Sequence, residues 1–532
     1  MKKTLGILVL AFAVLMSIPW LVPHTGVLAL VGFVPLLFAD YLADKSGMRR
    51  FWIWHYLAFV LWNAFTTYWV CNATVGGGIF AVLANALQMS LVFGLFRFSK
   101  KKLPGVLPYI LLAAMWIAWE RQYFAAQISW PWLTLGNAFA GSTRTVQWYE
   151  WTGSLGGSLW IWVVNLSVFG LLVSIGEGRT AAWNKFRKAV TAAGAFLLLL
   201  GPIVTSAVIY GTREEKSEGR VDVLIAQPNF DPYQKFTSMT QAEQTSVLLD
   251  LYAPAMEERE GRVLLLAPET FTSDIILNNV AASPTWNRFQ LFLRNHPGAD
   301  LLFGASTYET FATRSAPSPL ARPYGDGWIE SRNSAFITDA SGREEVFHKS
   351  KLVVGVEKMP YPRLLGKLDD ALGGVMGRCV EQDSVSLLHL QDGTPLGCAI
   401  CYESVYGEYC TDYVKAGAKF LTVITNDAWW GDTPGYRQHL NYSCLRAIEL
   451  RRDIARCANT GISAFISQRG EILDSSQWWE QDLLQGNVNL NSEQTFFVRY
   501  GDITGRVCTL VFLLLALLCL VRTVSGVFRR ER

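Results

Sequence analysis

Charge is what this sequence has little of. Asp, Glu, Lys and Arg make up 17% of its 532 residues, against about 25% in soluble globular chains. What charge there is nearly cancels, at a formal net of +3. The concentrated cationic surface that a nucleic-acid binder needs is lacking, so that class is excluded. Histidine is scarce too. The six histidines are scattered, with no pair at metal-ligand spacing, so neither a metal nor another cofactor is expected. Cysteines number nine, an odd count that does not describe a dense disulfide framework. There is no internal repeat and no low-complexity tract. Apolar residues reach 51%, with 20 Trp and 30 Phe, which excludes an intrinsically disordered chain.

The apolar excess is unevenly spread. Thr4 to Ala39 contains no charged residue. As one helix that run would be about 54 Å long, too long for a hydrocarbon core of about 30 Å. Pro19, Pro23, His24 and Gly26 break it into two spans, 4–21 and 26–43. Phe51 to Phe96 is again free of charge and breaks around Gly76-Gly77-Gly78, giving spans at 51–71 and 79–97. Further spans are expected at 104–121, 157–175, 189–210 and 507–521, eight in all. Lys2 and Lys3 before the first run also fit a signal sequence. The cleavage-like Ala11-Phe12-Ala13 lies inside the apolar stretch, so a retained anchor is expected.

Basic residues orient the array. Lys2 and Lys3, then Lys45, Arg49 and Arg50, then Lys100 to Lys102, then Arg179, Lys185, Arg187 and Lys188, and last Arg529, Arg530 and Arg532 all fall in alternate loops. The intervening loops carry almost none. All clusters therefore lie on one side, the cytoplasm, and the long segment between the seventh and eighth spans lies outside. The expected organisation is a membrane domain over 1–211, an outer domain over 212–505, and a last span with a basic tail over 506–532.

The outer segment carries most of the charge. Strands are expected at 221–226, 263–267, 301–304, 396–400 and 420–424, and helices near 240–258, 284–295, 404–416 and 436–456. This alternation predicts a layered α/β domain. Chemistry-bearing residues follow several strands, where such folds put their sites. Glu269 ends an apolar strand. Phe347-His348-Lys349-Ser350-Lys351 brings two lysines, with Glu357 further on. Gly397-Cys398-Ala399-Ile400-Cys401 runs into Tyr402-Glu403. Cys401 falls where a strand turns into a helix, and the positive helix end would favour a thiolate. A glutamate could accept the thiol proton. A lysine, with the backbone N–H after the cysteine, could stabilise an oxyanion. Lys349 and Lys351 are equal candidates here, since both would face one side of a strand.

Pro268-Glu269, His348-Lys349-Ser350-Lys351-Leu352 with Glu357, Cys401-Tyr402-Glu403 and Asn426-Asp427-Ala428-Trp429-Trp430-Gly431 resemble the nitrilase, or carbon-nitrogen hydrolase, superfamily. Eight spans, Gln227-Pro228-Asn229, Gln438-His439 and Arg446-Ala447-Ile448-Glu449 are similar to the branch of that superfamily that N-acylates lipoproteins. The resemblance covers the whole chain. It implies a polytopic α-helical membrane domain joined to an α/β nitrilase-like αββα sandwich. It implies Glu269 as general base, Lys349 as the oxyanion-stabilising cation and Cys401 as nucleophile, with Glu357, Tyr402 and Glu403 in support. Before the second glutamate the family usually has Pro-Phe-Gly-Glu, where this chain reads Val354-Gly355-Val356-Glu357. The aromatic after Gln-Pro-Asn is Phe236 here and Trp in the family.

The implied activity is two-step acyl transfer in the inner membrane of a bacterium, with the catalytic domain on the periplasmic side. A phospholipid donates the acyl chain to Cys401, and a diacylated apolipoprotein accepts it on its N-terminal amine. A monomer is expected. The segment 359–377, with Leu365, Leu372, Val375 and Met376 among glycines and prolines, is expected to be a mobile lid at the interface. Two other readings remain open: a membrane-tethered amidase that passes its acyl group to water, and a transporter or lipid-binding scaffold with an inert outer domain.

Overall fold

The computed structural model describes every residue except 233–237, 258, 260, 372–375 and 529–532. Phe236, the basic tail and the centre of the expected lid lie outside the described residues. The chain forms two compact units. Met1–Ala126, Trp130–Arg213 and Tyr500–Arg532 make the first, and Gln127–Ser129 with Glu214–Arg499 make the second.

The first unit is helical. Among the described residues, six helical stretches are long and apolar enough to cross a bilayer: Lys2–Leu21, Gly26–Lys45, Val75–Ser99, Tyr149–Gly176, Lys185–Thr212 and Ile503–Ser525. The first break falls at Pro23 and His24, where His24 adopts a left-handed φ of 64°. Two of the eight expected spans differ. Trp52–Thr67 is a helix of 16 residues, about 24 Å long and short of the hydrocarbon thickness. Leu107–Ala125 is a helix of 19 residues that carries Glu120 and Arg121 near its end. Phe33 sits at the centre of an aromatic cluster, with ring centroids 4.4 Å from Trp162 and 5.4 Å from Trp116. The interrupted backbone there is satisfied by Asn165, which accepts from Phe33 N at 2.7 Å and donates to Ala29 O at 2.8 Å. Such pairing is what apolar surroundings demand.

The second unit holds two sheets. The strands in chain order are β1 (Arg220–Gln227), β2 (Val263–Leu266), β3 (Thr272–Ile276), β4 (Ala299–Phe311), β5 (Arg322–Tyr324), β6 (Gly327–Thr338), β7 (Glu344–His348), β8 (Leu388–His389), β9 (Pro395–Ile400), β10 (Phe420–Thr425), β11 (Ile454–Ala458), β12 (Ala464–Ile466), β13 (Ile472–Ser475) and β14 (Asp482–Asn489). The first sheet runs β14-β1-β2-β4-β6-β5, with β3 beside β4 and β7 beside β6; the second runs β13-β12-β11-β10-β9-β8. In each, three parallel strands form the centre and antiparallel strands flank them.

Period-two alternation sorts the side chains. Val223, Ile225, Leu264, Leu266 and Leu302 join a core with Cys398, Ile400, Leu421 and Val423 of the second sheet. Their neighbours Leu224, Leu265, Leu301 and Phe303 face the other way, onto Leu248, Tyr252, Phe289 and Leu293 of the helices Gln241–Glu257 and Pro284–Asn295. The helices Gly407–Lys415 and Pro434–Leu450 cover the second sheet through Tyr413, Val414, Leu440 and Ala447. The result is the expected αββα sandwich. Cys457 ties the sheets together, its thiol donating to Ala226 O at 3.2 Å. All nine cysteines are free.

One boundary departs from the sequence reading. The expected helix over 436–456 ends at Leu450, because Arg451 turns left-handed at φ 50°. Residues Ile454–Ala458 then form β11, parallel to β10. Gly304 of β4 shows why glycine is required beneath the site. A Cβ there would stand 2.5 Å from Glu269 Cα and 2.6 Å from Thr270 N, both backbone atoms that cannot yield.

Candidate active site

Glu269 follows β2, and the next residue, Thr270, holds a left-handed φ of 47°. This sharp turn directs the carboxylate into the sandwich, where Glu269 is buried. Its Oε1 accepts from Lys349 Nζ at 2.9 Å and Asn333 Nδ2 at 2.8 Å; its Oε2 accepts from Asn426 N, after β10, at 3.1 Å. Both carboxylate oxygens thus have a donor, as a buried carboxylate needs.

Lys349 follows β7 and is 1% exposed. Its ammonium bridges two carboxylates, Glu269 and Glu357, each at 2.9 Å. Burial opposes its charge, but these two anions hold it well above the ordinary lysine range. Lys351 does not share the position. Its ammonium lies over the rings of Tyr406 and Tyr409, at 5.7 and 5.4 Å. The structure therefore separates two lysines that strand periodicity leaves equal. Glu357 also accepts from Val353 N at 2.7 Å, which fixes the loop that carries it.

Asn333, in the middle of β6, was absent from the sequence reading. Its side-chain NH₂ donates to Glu269 at 2.8 Å and to Glu357 at 2.7 Å, and its backbone carbonyl accepts from Lys349 N at 2.8 Å. It spaces the two glutamates that share the lysine. Asn333→Leu leaves both carboxylates one donor short. Lost donors of this kind cost about 1–3 kcal/mol, so kcat/KM should fall roughly tenfold to a hundredfold. Steady-state kinetics beside a thermal melt checks this: the melt should shift modestly while turnover drops.

Cys401 follows β9 directly and adopts a left-handed φ of 52°. It opens a short 3-10 helix, Cys401–Val405, and the α-helix begins only at Gly407. The expected thiolate at a helix terminus is thereby corrected. Burial, then the Glu269 charge, push the thiol well above its usual range, with Lys349 only partly offsetting them. The resting group is a thiol that needs a base. Both Glu269 and Lys349 act electrostatically on this sulfur.

Glu403 is fully buried and braces the two loops. One oxygen accepts from Ser350 N at 2.7 Å, next to Lys349; the other accepts from Ile400 N at 2.8 Å, next to Cys401. Burial pushes its carboxyl up to about 7 against these donors. Tyr402 donates to Ser129 O at 3.1 Å and packs edge-on against Tyr406. In the expected lid, Pro362–Ala371 is a helix, with Leu364 76% exposed.

A cavity of about 360 Å³ adjoins Glu357 and Asn333, lined also by Thr270, Tyr308, Arg322 and Cys379 among others. Among the described residues, one group could present ligand atoms to a metal: Cys401, Asp427 and His439, within 4.8 Å of one another. The donors are otherwise engaged. Asp427 holds His439 Nδ1 at 2.8 Å and the Arg456 guanidinium at 2.6 Å, and that guanidinium opposes a cation. His348, the other histidine near the site in sequence, pairs with Ser334 at 2.7 Å.

A carbon-nitrogen hydrolase family model matches residues 319–496, so the sandwich is of the carbon-nitrogen hydrolase class. A model of the apolipoprotein N-acyltransferase N-terminal domain matches residues 11–167. The chain is 28% identical over 516 residues to the apolipoprotein N-acyltransferase of Chlorobaculum tepidum, covering 94% of this chain and 93% of that one. It is 26% identical over 510 residues to the enzyme of that name from Geobacter metallireducens, covering 93% and 91%. Nit3 of Saccharomyces cerevisiae, a solved nitrilase-superfamily structure, aligns at TM-score 0.37 and 14% identity over 51% of this chain and 91% of its own. The chain belongs to the apolipoprotein N-acyltransferase family.

Proposed function

We propose that Cys401 takes an acyl chain from the ester of a membrane phospholipid and passes it to the N-terminal amine of a diacylglyceryl-cysteine lipoprotein. The observation that carries this reading is the buried Glu269–Lys349–Glu357 array, braced by Asn333 and acting on a thiol at a left-handed strand end. Glu269 accepts the thiol proton as sulfur attacks the ester carbonyl. Lys349 and the Tyr402 N–H face the oxyanion that forms. The tetrahedral intermediate expels the glycerol alkoxide, which takes the proton back from Glu269, leaving a thioester and a lysophospholipid. The neutral lipoprotein amine then attacks the thioester, Glu269 accepts its proton, and the thiol is restored. Glu357 holds Lys349 in line, and Tyr402 and Glu403 hold the loop of the nucleophile.

Both substrates are lipids, and a catalytic domain over 212–505, anchored by spans at either end, suits them. The basic clusters in alternate loops support a periplasmic catalytic domain on a bacterial inner membrane. We take the active form to be a monomer, since one chain supplies every group in the scheme. Acyl-labelled phospholipid incubated with a diacylated peptide tests the whole reading. N-acylated peptide is the expected product. Release of free fatty acid with the peptide untouched would replace transfer by hydrolysis.

A further inference from the structure

Behind the nucleophile lies a buried polar group that the scheme above does not use. His439 stands on the helix Pro434–Leu450, and His439, Asp427 and Arg456 are all fully buried. The Asp427 carboxylate takes His439 Nδ1 at 2.8 Å, Thr425 Oγ1 at 2.8 Å and Arg456 Nη2 at 2.6 Å. Burial opposes its charge, but His439 and Arg456 hold its pKa down at about 2. Arg456 is itself fixed by Ser443 Oγ at 3.1 Å, and the Trp430 ring packs edge-on against the imidazole. The other ring nitrogen, Nε2, lies 3.0 Å from the carbonyl oxygen of Cys401 and 3.0 Å from Ser404 Oγ.

Carboxylate and carbonyl oxygens only accept, so donating to both at once takes the ring as an imidazolium, with an N–H on each nitrogen, and donating to the Cys401 carbonyl alone takes the N–H on Nε2. A buried ionic group is an inefficient way to stabilise a fold, because desolvation consumes most of what pairing returns. Its position is informative instead. The carbonyl that His439 grips belongs to the same peptide unit as the Tyr402 N–H. With no cis peptide bond among the described residues, that N–H points opposite to the carbonyl, away from His439. Donation to a peptide oxygen withdraws electron density from its nitrogen and strengthens the N–H as a donor, since linked hydrogen bonds polarise one another.

We propose that Asp427 and His439 form a positioning relay that polarises the Cys401–Tyr402 peptide and so sharpens the backbone donor of the oxyanion site. The inference rests on Cys401 being the acyl-accepting nucleophile, but not on which ester supplies the acyl group. His439 does not touch the substrate, and it acts through the peptide. The relay also holds the left-handed turn at Cys401 in the orientation that this donor requires.

The test compares two reactions of one sulfur in the full-length, detergent-purified protein. Acylation by p-nitrophenyl butyrate passes through an oxyanion; alkylation by iodoacetamide does not. Both are followed by mass, with the adduct mapped to Cys401 because eight other thiols are free, in preparations whose thermal melt shows them folded. Removing a whole oxyanion donor costs about 10²–10³ in rate. Weakening one should lower the acylation-to-alkylation ratio roughly tenfold to a hundredfold. That drop is expected for His439→Leu and Asp427→Asn, with partial recovery in His439→Gln, whose amide can still donate to the Cys401 carbonyl. If His439→Leu does not fold, Asp427→Asn and His439→Gln decide the matter. An unchanged ratio overturns the relay, whether neither rate moves or both fall together, because a purely structural role would slow both alike. A wild-type protein acylated by the nitrophenyl ester but not by phospholipid counts against the proposed function and leaves the relay standing.

Discussion

Cys401→Ala is expected to yield a folded protein that takes up no acyl mass from phospholipid and transfers none. The substitution removes one sulfur from a residue that is 9% exposed. It keeps a Cβ at the left-handed position, so it adds no new backbone strain. The cavity left is small, and its cost should be about 1 kcal/mol, a shift of a few degrees in the melting midpoint. Function has no such margin. In the proposed scheme every covalent step passes through this thiol, and deleting a nucleophile from a unit that acts together costs on the order of 10⁴-fold or more. The paired measurement is a thermal melt beside intact-mass analysis after incubation with phospholipid. A near-native melt with no adduct is the expected result. A remaining acyl adduct in this variant would move the nucleophile elsewhere, and full activity would revive the inert-scaffold reading.

Why some of this was legible in the sequence and some was not follows from where each residue sits. Glu269, Lys349 and Cys401 each stand just past the end of a short strand. There the change from an apolar run to a polar residue is visible without any long-range information. Asn333 lies inside β6, whose first eight residues read Gly-Trp-Ile-Glu-Ser-Arg-Asn-Ser. Ser331, Arg332 and Asn333 line the adjoining cavity, and Asn333 reaches Glu269 and Glu357, so three polar residues in a row stand where a core-facing strand would alternate. In the sequence β11 looks like the tail of a helix, because its five residues carry no turn signal before them. The break is made by Arg451 in a left-handed conformation, which only tertiary packing selects. The relay was hidden for a related reason. Gln438-His439 is visible as a pattern, but the meaning of His439 lies in Asp427, Arg456 and a carbonyl at Cys401. These partners meet only when β9, β10 and β11 stack side by side. Apolar runs gave the membrane unit well, since bilayer length and charge avoidance are local. They gave the number of crossings less well, since helix ends such as Thr67 are set by packing.

Glu269→Gln should be the most damaging change that keeps the thiol. Its amide has the right size and the wrong hydrogen bonds. Glu269 accepts from Lys349, Asn333 and the Asn426 N–H; a glutamine offers one oxygen, and its NH₂ must face a donor. Lys349 keeps only Glu357 as an anion. Breaking one side of a buried ion pair costs about 3–5 kcal/mol where no other partner remains. With Glu357 still in place the loss should lie below that range. The larger effect is on chemistry. The Cys401 thiol is held well above its usual range by burial and then by the Glu269 charge. Without the base, few molecules carry thiolate at neutral pH, and acylation should fall by about 10²–10⁴. The sign of the pH dependence follows. Removing the carboxylate also removes a charge that was raising the thiol, so the sulfur can ionise unaided as pH rises. Acylation by the variant should therefore climb by up to tenfold per pH unit while the thiol stays mostly protonated, closing part of the gap to wild type. Glu357→Gln, which spares the base, should lose less and show no such climb. Acyl-enzyme formation measured by stopped incubation and intact mass across alkaline pH separates the two variants. A Glu269→Gln profile as flat as that of Glu357→Gln, or a loss under tenfold, would remove Glu269 from the role of base.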